Sequence, residues 1–233
     1  MTPIHITYTC ADTNAKPAII QVHPLAVPPP PAIPELINGQ LSAVWISLRL
    51  QNLQRQWASL LVLFAQRDFQ NYQFAVETVL VSMKRAVDDL VMCAYCIHKA
   101  EEIEQTRKIE VDGWGVLFRK GTPTPLGQEI IDRFIGEYDQ FPNILNNLVN
   151  ALKHSYLMPE ARNEWNNEFP LVSAIYALRN DFSGEVEVHN HNMFELVCGF
   201  NQFVKQVMEK THPHAGPCIP LDWATEGVTS TPG

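Results

Sequence analysis

Apolar residues at Leu50, Leu53, Trp57, Leu60 and Phe64 recur at steps of three and four, the period of one helix face. Ile37, Leu41, Val44 and Leu48 carry the same rhythm upstream, with one change of phase near Leu50. The pattern predicts a helix from Pro34, a residue tolerated at a first helical position, to about Gln66. After a break at Arg67-Asp68, Tyr72, Val76, Val79, Met83, Val87, Leu90, Ala94 and Ile97 keep the period for about seven turns. Two such helices joined by a short loop must lie antiparallel, since neither buries its stripe alone.

The glycines and prolines between Val111 and Pro125 interrupt the helical period and mark a connecting excursion. Thr124 as cap and Pro125 at the first helical position open a third helix through Ile131, Phe134, Ile135 and Tyr138. Pro142 kinks or restarts it. The continuation puts Leu145, Leu148, Leu152 and Tyr156 on one face and stops at Met158-Pro159. Met193 to Lys210 forms the last helix.

Two stretches alternate with period two instead. Ile4, Ile6 and Tyr8, then Ile19, Gln21 and His23, flank the turn-like ADTNAKP and predict a β-hairpin over residues 1–26. Leu171–Leu178 and Glu185–His191, around RNDFSG, predict a second hairpin near 171–191, with a helical reading of Leu171, Ile175 and Leu178 as the alternative. The fold expected is mainly α, an antiparallel helical bundle over 35–210 with two small β-hairpins. A proline-rich linker occupies 27–34 and a loose tail 211–233.

Composition narrows the classes of function. The 46% hydrophobic content fills a proper core, and the net charge of -8 removes any general attraction to phosphate backbones, so nucleic-acid contact must be local. The longest apolar run, Ala58–Ala65 with Ser59 inside it, is too short to cross a bilayer, and the start of the chain lacks the pattern of an export signal. Five cysteines without framework spacing fit reduced thiols, hence a cytoplasmic setting.

Candidate chemistry gathers on the fourth helical stretch. Asn143, Asn147, Asn150 and His154 are four, three and four apart, one polar stripe turned away from Leu145, Leu148 and Leu152. Such a stripe is either the wet face of an amphipathic helix or a recognition surface. Asparagine is a poor helix former, whereas carboxamides beside an imidazole suit a base edge or a phosphate. Lys153, Ser155 and Tyr156 neighbour it. His189 and His191 share one face of a strand, but two ligands are too few for a closed zinc site, and no cofactor is implied. Cys93-x-x-Cys96 falls within an uninterrupted helix and reads as two small buried side chains. Lys84 and Arg85 with Asp88 and Asp89 read as surface ion pairs.

The segment Val149-Asn150-Ala151-Leu152-Lys153-His154 resembles the R-N-x-x-x-H signature of the HEPN superfamily, with Val149 in the arginine's place. NALKHSY, with the hairpin and HNHN run that follow, is also similar to segments of bacterial proteins. The HEPN resemblance implies a small helical bundle, a homodimer, and an RNA-directed, metal-independent ribonuclease of toxin and defence systems, or an RNA-binding module. In that role His154 would move the proton, Asn150 orient the phosphate or the ring, and Lys153 stabilise developing charge. A non-catalytic domain that engages a cognate protein partner and a metal-dependent enzyme are the alternatives.

Overall fold

In the computed structural model, residues 2–4, 16–23, 43–119, 121–136, 140–154, 169–177, 181, 183–184 and 186–212 are described. Helices α1 (Ala43–Gln66) and α2 (Phe69–His98) form the antiparallel pair that the periodicity requires. Their turn is tight: Arg67 takes a left-handed φ of 57°, and the Asp68 side chain caps α2 by accepting from the Asn71 N–H. The buried face of α1 runs Ile46, Leu50, Leu53, Trp57 and Leu60 without a change of phase, and Leu48 lies outside it. The expected phase shift is thus absent from the described part of this helix.

A short α3 (Ala100–Thr106) follows, and a 3-10 turn at Trp114–Leu117 leads into a two-residue hairpin, β2 (Phe118–Arg119) with β3 (Thr122–Pro123). Helix α4 (Pro125–Ile130) starts where Thr124 accepts from the Gly127 N–H, and continues as a π-helical turn at Ile131–Ile135. Helix α5 spans Gln140–His154, and α6 (Met193–Thr211) is capped by the Asn192 side chain on the Phe194 N–H. Between them, β4 (Leu171–Ala177) and β5 (Val186–Asn192) pair antiparallel, with His191 opposite Val172, His189 opposite Ala174 and Glu187 opposite Tyr176. The strand reading of Leu171, Ile175 and their neighbours therefore holds over the helical one.

The architecture is the expected helical bundle with two antiparallel hairpins, but one hairpin is not where the alternation placed it. It lies in the 118–123 excursion. At the chain's start, β1 (Thr2–Ile4) instead runs parallel along β5, giving a three-stranded sheet in the order β1-β5-β4. Residues 16–23 are extended but form no ladder. Side chains take the place of a partner strand: the Ile19 N–H donates to Gln54 Oε1, the Ile20 N–H to Asn201 Oδ1, Ser47 Oγ to the Val22 carbonyl and Trp57 Nε1 to the Pro17 carbonyl. Ile19 and Val22 thereby enter the same core as α1 and α6. The linker at 27–34 and the tail from 213 lie outside the described residues.

Candidate functional site

Helix α5 is enclosed on nearly every side. Leu145, Leu148 and Val149 are buried in the common core, while the asparagine stripe turns toward β5 and the 3-10 turn. Asn143, Asn147 and Asn150 are each half-buried, so the stripe is not a wet face. Its first two members are committed to the fold. Asn143 Oδ1 accepts from Trp114 Nε1 at 2.9 Å, which satisfies a fully buried indole, and Asn147 Nδ2 donates to Glu187 Oε2 at 3.0 Å. Among the described residues nothing hydrogen-bonds the Asn150 carboxamide. Lys153 is exposed, and His154 ends the helix. Ser155 and Tyr156 lie outside the described residues.

A second polar group was only half legible in the alternation of β5. Glu187, His189 and His191 share the strand face turned toward α5, and they contact one another instead of converging on a cation. Glu187 Oε2 lies 3.2 Å from His189 Nε2, and His189 Nδ1 lies 3.2 Å from His191 Nε2. Both imidazoles are buried. Burial holds His189 below the ordinary histidine value, against the pull of the Glu187 carboxylate toward the charged form. Tyr176, across the ladder, is pushed up by burial and by the same carboxylate. Among the described residues no group of three or more His, Cys, Asp or Glu side chains is arranged to hold a metal ion.

Cys93 and Cys96 are buried thiols outside any disulfide; burial pushes Cys93 up to about 12 and Cys96 up to about 11, so neither is nucleophilic at neutral pH. Cys198, by contrast, is disulfide-bonded, which corrects the expectation of wholly reduced cysteines. The charged residues of α2 also do more than pair on a surface. Lys84 Nζ holds Asp88 at 2.6 Å, and Asp88 Oδ1 in turn accepts the Trp114 N–H at 2.8 Å, fixing the excursion to the helix. Asp89 pairs with Arg49 of α1. The chain from Asp88 through Trp114 to Asn143 therefore links α2, the 3-10 turn and α5.

Comparison of the chain with protein-family models, with curated proteins and with solved structures finds no match. No described helix is long and apolar enough to cross a membrane.

Proposed function

We propose that the chain is a HEPN-like RNA-binding domain that holds single-stranded RNA at the C-terminal end of α5, through Asn150, Lys153 and His154, without cleaving it. The observation that carries this reading is the division of the stripe. Asn143 and Asn147 are spent on Trp114 and Glu187, whereas the carboxamide of the half-buried Asn150, beside an exposed lysine, hydrogen-bonds no other described residue. Binding is favoured over cleavage by position 149. The HEPN signature puts an arginine there, but Val149 is 1% exposed and packed into the core, so no guanidinium fork reaches a phosphate from this position. The acidic chain needs a second source of cationic charge, and a homodimer supplies a second Lys153.

Fluorescence anisotropy with labelled single-stranded RNA tests the reading. The native protein binds and leaves the RNA intact, and Asn150→Ala or Lys153→Ala weakens binding by about 1–3 kcal/mol. Absence of binding overturns it. RNA cleavage in chelator that disappears in His154→Ala would replace it with the metal-independent ribonuclease.

A non-catalytic domain for a cognate protein partner is the second reading, favoured by the closed end of the α1–α2 pair, where Val62 is 53% and Phe74 is 62% exposed. The same apolar end supports the homodimer. Sedimentation at tens of micromolar then gives twice the chain mass, and Phe74→Glu returns the monomer.

A further inference from the structure

The extended segment from Pro17 to Val22 runs along α1 in the opposite direction: Pro17 meets Trp57, Ile19 meets Gln54 and Val22 meets Ser47. Helices α1 and α6 each pack on α2, and among the described residues their contact with each other is slight, so the segment occupies a groove between them. Its buried positions are Ile19 and Val22, three apart, while Ala18 and Gln21 are exposed. That step is the repeat of a polyproline-type chain and not of a strand.

Side chains meet the backbone of the segment from both walls. Trp57 Nε1 donates to the Pro17 carbonyl at 2.6 Å, Asn201 Nδ2 to the Ala18 carbonyl at 2.7 Å and Ser47 Oγ to the Val22 carbonyl at 2.7 Å. The Ile19 N–H donates to Gln54 Oε1 at 2.7 Å and the Ile20 N–H to Asn201 Oδ1 at 2.9 Å. Such bonds read a backbone, and selectivity is left to the two apolar seats that take Ile19 and Val22. An aromatic wall suits an extended proline-containing chain, and here Trp57 stands edge-on to Phe194 with 5.8 Å between ring centroids. The segment joins α1 only through residues 24–42, so it can leave the groove without unwinding either helix. Trp57 and Ser47 are fully buried beneath it, and its departure takes the acceptors of an indole N–H and a hydroxyl. An emptied groove, with two apolar seats open as well, therefore favours a second chain of the same pattern.

We propose that the groove between α1 and α6 is a peptide-binding site and that residues 17–22 are its resident occupant. The occupant is exchangeable for an extended segment of a partner protein with proline at the place of Pro17 and aliphatic residues at the places of Ile19 and Val22. The site lies apart from the end of α5 and does not depend on what α5 binds.

The probe is a labelled peptide with the sequence of residues 15–24, titrated by anisotropy into the full native chain and into a full chain carrying Ile19→Ser and Val22→Ser. In the native chain the tethered segment competes at an effective concentration of about millimolar, so the double variant should bind the peptide at least about tenfold more tightly. Adding Asn201→Leu should weaken that binding about tenfold, since both of its backbone bonds go, and a peptide carrying the same two serine substitutions should not compete. No binding to a double variant whose circular dichroism matches the native chain overturns the proposal. So does a double variant that loses its helices and does not regain them with the peptide, because the groove then does not exist apart from its segment. Peptide that binds only by splitting a native dimer assigns the groove to the segment of a second copy, against a partner protein. Hydrogen exchange in the native chain gives a readout free of substitutions: the Ile19 and Ile20 amides should exchange by local opening while α2 stays protected, and protection equal to that of α2 overturns the exchange of occupants.

Discussion

Two glycines and one asparagine carry the join between the excursion and the bundle. A Cβ added at Gly127 would run into the Leu117 carbonyl oxygen, and one at Gly113 into the Asp88 carboxylate that holds Trp114. Neither glycine is kept for its backbone freedom; both are close approaches. Gly127→Ala should cost about 1–3 kcal/mol, because the obstacle is backbone and cannot rotate away. Asn143→Ala should cost a similar amount, about 1–3 kcal/mol, by leaving the buried Trp114 indole N–H without an acceptor. Both are read from urea unfolding midpoints, and an unchanged midpoint for Asn143→Ala would mean that water replaces the carboxamide. These roles were not legible in sequence. Spacing placed Asn143 on the stripe, but its partner is 29 residues away in a segment without periodicity. The buried Cys93 and Cys96 were legible, since a single helix already decides which side chains point inward.

Helices were legible where one face meets the core and the period is unbroken, as in α2 from Tyr72 to Ala94. Alternation located β4 and β5 as a pair, but in β5 the buried face carries the polar His189 and His191 while Val188 and Asn190 lie on the other, so the apolar positions did not mark the inner face. It misled at the start of the chain: Ile19 and Gln21 alternate, yet the segment is held by Gln54, Ser47, Trp57 and Asn201 from two helices, none of them its sequence neighbours. An extended strap and a strand carry the same local pattern. Asn201 is the most informative link, since its carboxamide both accepts from the Ile20 N–H and donates to the Ala18 carbonyl. Asn201→Leu should therefore loosen residues 16–23 ahead of the bundle, seen as early proteolysis there at a temperature where α2 is intact. Simultaneous loss of both would show that the strap and the bundle open together. At the other end of the sheet, removing the cap of α6 with Asn192→Ala should cost about 1 kcal/mol.

At the scale of the molecule the sheet packs on α5 through β4 and through the Asn147–Glu187 bond, and the buried His189 beside that bond bears on the response to acid. The folded-state value of His189 lies below the ordinary one of about 6.5, chiefly through burial. As the pH falls the unfolded chain binds this proton first, so the contribution is fully present above about pH 6.5 and is lost as pH falls below it. Urea midpoints at pH 7.5 and 5.5 should fall in that order, and equal midpoints would show that His189 titrates normally when folded. The acidic balance of the chain makes the proposed RNA contact local, confined to the end of α5 where Lys153 is exposed. The decisive measurement is therefore anisotropy of a labelled single-stranded RNA titrated with the native protein, Asn150→Ala and Asn147→Ala, each at matched folded fraction. The proposal requires Asn150→Ala to weaken binding by about tenfold, within the range expected for one lost polar contact, while folded Asn147→Ala binds almost as the native chain does. RNA affinity that is absent in the native protein, or that Asn150→Ala leaves unchanged, contradicts it.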